Sequence, residues 1–96
     1  MNYEIIFSTY INKTKTYTPR KQLESDLVDV AKNNNVQGFS LRNQLGYWAG
    51  ELEKSHVLEL LDTSKTVAFE VAQELKQLYK QDAVIVRPVE TEVYFV

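Results

Sequence analysis

The chain has 96 residues, enough for one domain with a single core, and we expect residues 1–96 to form that one domain. Apolar residues make up 44% and charged residues 25% of the sequence, a balance typical of folded globular proteins that argues against disorder. The net charge of −2 argues against a general nucleic-acid binder, and the lack of Cys excludes disulfides, zinc–thiolate sites and thiol nucleophiles. No apolar run is long enough for a membrane span and the N-terminus shows no signal pattern, so we expect a cytoplasmic protein without membrane contact.

The first half of the chain predicts a strand, a polar loop, a helix and a second strand. Aromatic and β-branched residues at 3–9 indicate the first strand, and residues 11–18 are read as the loop. Thr18 followed by Pro19 is a strong helix start, since Thr can cap free amides and Pro suits the first helical position. The three consecutive Asn residues at 33–35 end that helix, and a second strand is expected at 37–42.

The second half predicts two further strands around the clearest amphipathic helix. A turn or bulge is expected between Gly46 and Gly50, followed by a strand at 56–61. A helix cap at 62–64 then precedes a helix with an apolar stripe over 67–79. The last elements are a strand at 83–86, closed by Pro88, and a short extra strand at 92–96. The order β-α-β-β-α-β is that of ferredoxin-like α+β folds, with an antiparallel sheet and both helices on one face.

Strand alternation predicts which side of this sheet the helices cover. The covered side is expected to carry Tyr3, Ile5, Phe7, Leu58, Leu60, Val84 and Val86. The opposite side, called the open face below, is expected to carry Glu4, Ile6, Val57, Glu59, Leu61, Ile85 and Arg87. A contiguous apolar patch on an exposed face usually marks an interaction surface, so we expect homo-oligomerisation through the open face. A register shift of one residue would exchange the two faces.

Glu4, Glu59 and Arg87 are expected to lie close together on that face. One interpretation is a ligand-binding or catalytic cluster in an oligomer cleft. The other, which we favour, is an ion pair that fixes the docking register, because structural networks often imitate functional ones.

The segment before the third strand concentrates uncommon residues. Tyr47 and Trp48 are either an aromatic platform for a ligand or partner, or a plug for one end of the core. Glu51, Glu53 and His56 suggest acid–base chemistry, with a solvated acidic turn and His56 at a strand end as the alternative. One His and two nearby carboxylates are too few for a metal site within one chain, so neither a metal nor a cofactor is predicted.

The segment 10–21 interleaves tyrosines with basic residues and ends at a predicted helix N-terminus. Lys13, Lys15, Tyr17 and Arg20 could bind an anionic nucleotide there, with Arg42 adding positive charge. The alternative is a solvated polar loop without a ligand.

Several motifs carry a resemblance to known proteins. Gly46-Tyr47-Trp48, Glu53-Lys54-Ser55 and Gln81-Asp82-Ala83-Val84 resemble the G-x-W turn, E-x-S strand entry and Q-(D/E)-(A/S)-V strand start of small uncharacterised bacterial and phage domains. In outline the chain is similar to PII- and CutA-type trimeric proteins, whose ferredoxin-like protomers pack sheet to sheet. The likeness to proteins from phages of low-GC bacteria implies a mobile-element accessory protein acting against host defence.

Three functions follow from these patterns. The leading hypothesis is a non-enzymatic, oligomeric binding protein that holds a host protein or a small anionic ligand, such as a signalling nucleotide, at a protomer edge. Second is a small enzyme in an oligomer cleft, with Glu59 or Glu51 as base and His56 as proton carrier. Third is an assembly module without a ligand.

Overall fold

The computed structural model describes residues 1–11 and 13–90, with Ile11 and Trp48 described by their backbone. Its elements are β1 (Asn2–Phe7), β2 (Tyr10–Ile11), β3 (Thr16–Tyr17), α1 (Arg20–Asn33), β4 (Gly38–Trp48), β5 (Glu51–Leu61), α2 (Lys65–Leu78) and β6 (Ile85–Val89). The extra strand predicted at 92–96 lies outside the described residues. In the described part of the chain, neither helix is long and apolar enough to span a membrane.

The main sheet is antiparallel, with the strand order β4-β5-β1-β6. Alternate residues of the central strands β1 and β5 share one core with the buried sides of α1 and α2, so both helices cover the same side. This confirms the predicted ferredoxin-like α+β fold. The core consists of Tyr3, Ile5, Phe7, Leu23, Leu27, Val30, Leu58, Leu60, Ala68, Val71, Ala72, Leu75 and Tyr79.

The predicted register of the central strands is also confirmed. Glu4 lies opposite Glu59 on β5 and opposite Arg87 on β6. One member of the expected exposed patch is wrong, because Val57 is fully buried in a single chain. Arg42 lies beside Val57 on β4 and reaches across β5 to Glu4 on β1, so its side chain passes over this part of the open face.

The strands β4 and β5 are each about twice as long as predicted, with 11 residues apiece. They form a hairpin closed by a two-residue turn in which Ala49 has φ 50° and Gly50 has φ 84°. Positive φ at both central positions is typical of the type I′ turn that suits strand twist. Gly46, expected in a bend, instead pairs with Glu53 within the ladder. The third strand therefore begins at Glu51 rather than at residue 56.

Three local predictions need correction and one is confirmed. The loop predicted at 11–18 contains part of a small two-stranded sheet, β2–β3. The residue before α1 is Pro19, and no side chain caps this helix, so Thr18 does not cap it. Pro88 lies inside β6, which is tolerated because β6 is an edge strand. The cap predicted before α2 is confirmed, because Ser64 Oγ accepts a hydrogen bond from the Val67 amide at 3.2 Å.

Candidate functional site

The open face is organised around one buried carboxylate. Glu4, only 8% exposed, accepts a hydrogen bond from Arg42 Nη2 at 2.6 Å and another from Arg87 Nε at 2.8 Å. The two guanidinium groups reach it from opposite edges of the sheet, since β4 and β6 are the outer strands. These hydrogen bonds to the charged form outweigh desolvation and hold the pKa of Glu4 below its ordinary value of 4.5.

Glu59 extends this network toward the start of β1. One of its carboxylate oxygens lies 3.9 Å from Arg42 Nη1, and the other accepts a hydrogen bond from Asn2 Nδ2 at 3.1 Å. Asn2 in turn accepts a hydrogen bond from the Asp62 amide through its Oδ1, at 2.9 Å. Charged and amide groups from all four strands are thus joined on one face, which favours the ion-pair interpretation over a free catalytic carboxylate.

The distal half of the long hairpin projects beyond β1, whose pairing with β5 stops at Phe7 opposite His56. We call residues 43–56 the arm. Its apolar side chains are mostly exposed: Leu45 is 63%, Tyr47 is 71% and Leu52 is 68% exposed. Tyr47 lies directly opposite Leu52 in the ladder. The predicted aromatic platform therefore has its Tyr47 on an exposed arm, away from the core.

A polar cavity of about 730 Å³, here called the arm cleft, lies beside the edge of β5 that β1 leaves unpaired. Its lining comes from the arm, the end of β1, the β2–β3 sheet and the segment before β6, and comprises Ser8, Tyr10, Tyr17, Glu51, Leu52, Glu53, Lys54, Lys80, Gln81, Asp82 and Ala83. The rings of Tyr10 and Tyr17 pack at 5.1 Å between centroids. Two tyrosines, three carboxylates and two lysines thus surround one space.

A second cavity of about 550 Å³, here called the His56 pocket, lies between the arm and the N-terminus of α1. It is lined by Tyr17, Thr18, Arg20, Leu23, Asn43, Gln44, Leu45, Lys54, Ser55 and His56. His56 Nδ1 lies 3.0 Å from Asn43 Oδ1, which also accepts a hydrogen bond from Arg20 Nη1 at 3.5 Å. Burial, and then the charge of Arg20, lower the pKa of His56 below 6.5, so its ring is neutral at pH 7.

The structure brings some of the predicted site residues together and separates others. Glu51 and Glu53 share the arm cleft, whereas His56 belongs to the other pocket and Glu59 to the open face. Tyr17 lines both cavities. Among the described residues, no three His, Asp or Glu side chains converge as metal ligands.

The predicted positive charges do not converge. Arg42 is bound to Glu4 on the open face, and Arg20 is paired with Glu24 on α1, at 3.2 Å. Lys13 and Lys15 are exposed at the turn between β2 and β3. No basic cluster forms from these four residues.

Sequence reasoning missed Asn43, Lys54 and Lys80 as site residues. Asn43 and His56 become neighbours only when the arm forms, because they are opposite each other in the β4–β5 ladder. Lys54 points to the same side of β5 as His56, two residues away, and it lines both cavities. The predicted E-x-S strand entry contains Lys54, but the resemblance gave this residue no role.

The fold and these cavities define a ferredoxin-like protein with a projecting hairpin arm. No protein-family model and no curated protein sequence matches the chain. Among solved structures, a phage SAM lyase in its apo state is similar, with a TM-score of 0.72 and 24% identity over 88% of this chain and 75% of that chain. The phage SAM lyase in complex with S-methyl-5′-thioadenosine gives a TM-score of 0.56 and 21% identity over 88% and 76% of the two chains.

Two further proteins share the fold at lower identity. A DUF3240 family protein from Shewanella baltica has a TM-score of 0.58 and 13% identity over 99% of this chain and 96% of that one. The periplasmic divalent cation tolerance protein CutA from Archaeoglobus fulgidus has a TM-score of 0.57 and 13% identity over 97% and 88%. The predicted similarity to CutA-type proteins is therefore confirmed at the level of the fold.

Proposed function

We propose that this chain is a self-assembling protein that binds S-adenosylmethionine in the arm cleft and cleaves it to S-methyl-5′-thioadenosine. The observation that carries the proposal is the likeness to the phage SAM lyase, which extends over 88% of this chain with a TM-score of 0.72. Removal of S-adenosylmethionine would deprive host methyltransferases of their methyl donor. That outcome suits the counter-defence role implied by the resemblance to phage proteins.

The chemistry of the arm cleft suits this ligand better than a nucleotide polyphosphate. S-adenosylmethionine carries an aromatic base, a sulfonium cation and an amino-acid group of both charges. Tyr10 and Tyr17 offer aromatic faces for the base, and the three carboxylates of the cleft attract the sulfonium and ammonium groups. Lys54 and Lys80 offer partners for the ligand carboxylate. The cleft has three carboxylates and two lysines, an excess of negative charge. We therefore propose a ligand with cationic groups instead of the anionic nucleotide expected from the sequence.

The proposed cleavage requires one catalytic base from the protein. The product keeps both the methyl and the adenosyl group on sulfur, so the bond that breaks joins sulfur to the aminobutyryl chain. A base takes a proton from the carbon next to the one that carries sulfur, the electron pair of that C–H bond forms a C=C bond, and the C–S bond breaks as sulfur leaves as a neutral thioether. The second product is 2-aminobut-3-enoate, the proton stays on the base, and neither water nor a redox partner is consumed. Of the two carboxylates predicted as the base, Glu51 lines the cleft and Glu59 lies on the open face. We therefore assign the base role to Glu51.

Self-assembly is proposed to use the open face. Ile85 is 56% and Leu61 37% exposed there, beside the partly exposed guanidinium groups of Arg42 and Arg87. Apolar side chains interleaved with charges of both signs suit a self-complementary interface. The fold likeness to CutA and the sheet-to-sheet packing implied by that resemblance support the same surface.

A second candidate function is binding without cleavage, the non-enzymatic role predicted from the sequence. The specific observation in its favour is that the predicted acid–base residues do not come together: Glu51 lines the arm cleft, His56 lines the His56 pocket and Glu59 lies on the open face. A protein of this kind would sequester S-adenosylmethionine rather than consume it.

Calorimetric titration with S-adenosylmethionine tests the ligand. We expect saturable binding by the wild type, unchanged binding by Glu70→Gln on the exposed surface of α2, and weaker binding by Tyr17→Ala, since base–aromatic stacking contributes about 1–3 kcal/mol. Accumulation of S-methyl-5′-thioadenosine that is lost in Glu51→Gln would identify cleavage. Saturable binding without that product identifies sequestration, and absence of binding refutes both.

Light scattering after size-exclusion chromatography tests assembly separately. Ile85→Lys on the open face should shift the protein to a monomer, because a positive charge would be buried beside Arg42 and Arg87 without a partner. Phe69→Lys is the matched control, since Phe69 is 47% exposed on α2, away from the sheet. A wild type that is strictly monomeric at micromolar concentration contradicts the proposed interface.

A further inference from the structure

We propose that the His56 pocket is a separate binding site for the carboxylate or phosphate group of an organic anion. This site goes beyond the proposed function, because the pocket differs from the arm cleft in its charge. The described residues that line the pocket include the cations Arg20 and Lys54 but no Asp or Glu. The arm cleft, in contrast, contains three carboxylates.

Each polar side chain that lines the pocket has a group that can donate a hydrogen bond. Asn43 Oδ1 accepts a hydrogen bond from Arg20, so it can pair with His56 only if Nδ1 of that ring carries the hydrogen. Nε2 is then the nitrogen that takes up the second proton. A bound anion would therefore meet a His56 ring that can take up a proton, the ammonium of Lys54 and the part of the Arg20 guanidinium that Glu24 and Asn43 leave free.

The backbone adds to this positive character. No side chain caps the N-terminus of α1, where Pro19 precedes Arg20, and Thr18, Arg20 and Leu23 at this end of the helix line the pocket. The positive end of the helix dipole points in the same direction. The side chain of Thr18, which also lines the pocket, is available to an anion because it does not serve as the helix cap.

The apolar lining limits which anions fit. Leu23, which is 1% exposed, and Leu45, which is 63% exposed, contribute hydrocarbon to the same cavity, and the ring of Tyr17 closes one side. Phe7 packs against the His56 ring with centroids 5.5 Å apart. An anion carried on an apolar or aromatic body therefore suits the pocket better than a small hydrated ion.

Anion binding and protonation of His56 must be coupled. Among the described residues, the charged side chains that line the pocket are Arg20, paired with Glu24 on α1, and Lys54 on β5, whereas β1 and β4 present uncharged Phe7 and Asn43 to His56. An anion placed among these cations favours the charged ring, so it raises the pKa of His56, and reciprocally its affinity increases as the pH falls through that pKa.

The experiment uses the fact that His56 is the only His in the chain. The pH titration of its ring protons is followed by NMR at constant ionic strength, in chloride alone and with inorganic phosphate, acetate, phenyl phosphate or benzoate. We expect an anion of one of the two chemistries to raise the pKa of His56 by about 1. Comparison of the phosphate probes with the carboxylate probes shows which anionic group the pocket binds. Phenyl phosphate and benzoate should bind more tightly than inorganic phosphate and acetate.

Variants test whether the anion that raises the pKa of His56 binds in the His56 pocket. Arg20→Gln and Lys54→Gln should each weaken binding of the most effective probe roughly tenfold, as expected for loss of a charge-assisted hydrogen bond. Lys65→Gln, an exposed cation at the start of α2, is the matched control and should leave binding unchanged. The proposal is overturned if every probe leaves the titration curve of His56 unchanged, or if Arg20→Gln and Lys65→Gln respond alike. Because no probe is S-adenosylmethionine, this outcome is independent of the proposed function.

Discussion

Glu4→Gln is the substitution that most sharply tests the network on the open face. The carboxylate of Glu4 lies between two guanidinium groups that approach from opposite edges of the sheet, 2.6 Å away for Arg42 and 2.8 Å for Arg87. Gln keeps the length and shape of the side chain and one acceptor oxygen. It removes the negative charge and the second acceptor, and leaves two like charges facing each other across a nearly buried amide.

The expected loss follows from these contacts. A hydrogen bond to a charged group contributes about 1.5–3 kcal/mol when it is buried. The side chains of Arg42 and Arg87 are 51% and 54% exposed, so solvent screens part of this interaction and the low end of that range applies. We expect the free energy of unfolding to fall by about 2 kcal/mol. For a domain of this size, that corresponds to a melting temperature lower by about 8–16 °C.

Urea and thermal unfolding followed by circular dichroism measure this change at equal protein concentration. The matched control is Glu70→Gln, which removes a carboxylate from the exposed surface of α2 and should change the stability by less than about 0.5 kcal/mol. If the two variants have the same unfolding midpoint, the ion-pair network does not stabilise the sheet and our reading of the open face is incorrect.

The acid sensitivity of the protein follows from the same carboxylate. Because folding lowers the pKa of Glu4, its stabilising contribution is present above the ordinary value of 4.5 and is lost as the pH falls through the lowered pKa of the folded state. Ala49→Asn should raise the free energy of unfolding by about 0.5–1 kcal/mol in urea titrations, because Asn adopts the positive φ of this turn position more readily than Ala. Thr9→Val should stabilise the protein by about 1 kcal/mol, since Thr9 is buried and its hydroxyl has no hydrogen-bond partner among the described residues. Tyr79→Phe should destabilise it by about 1 kcal/mol, because it removes the hydrogen bond that the Tyr79 hydroxyl donates to Asp26 at 2.9 Å. A loss of stability in Thr9→Val, or no change in Tyr79→Phe, would contradict the hydrogen-bond assignments.

The fold could be predicted where burial leaves a pattern in the sequence. In β1, Tyr3, Ile5 and Phe7 face the core while Glu4 faces the other side, and this alternation fixes the register. The helix α2 shows a broad apolar stripe and a Ser cap, which together define its start and its buried side. These signals come from contacts made within one chain.

The arm could not be predicted for the opposite reason. Residues 44–55 of the arm extend past the last β1–β5 pair, so this part of the ladder has only two strands and its period-2 pattern is weak. The polar residues Asn43 and Gln44 therefore give no sequence signal that β4 continues past Arg42. The two glycines predict bends at both Gly46 and Gly50, but of these two only Gly50 has a positive φ.

Residues of the arm line both cavities, so neither cavity could be predicted without the arm. Glu51 and Glu53 were singled out from the sequence, but Lys80 and Asp82 join them only after the helix α2 returns the chain to the same end of the sheet. The sequence predicts His56 as a partner of these acids, whereas strand alternation places it on the helix side of the sheet with Asn43. These residues are brought together by the tertiary structure, so their spacing along the sequence does not indicate that they share a cavity.

Turnover of S-adenosylmethionine by the purified protein tests the central claim most directly. The substrate is supplied in excess over the protein and S-methyl-5′-thioadenosine is quantified over time by mass spectrometry, with Glu51→Gln and Glu70→Gln in parallel. Our account predicts that the wild type and Glu70→Gln release several product molecules per chain while Glu51→Gln releases only the background amount. Product formation no faster than in buffer, in a folded wild-type protein, would contradict the assignment of the arm cleft as the site of cleavage.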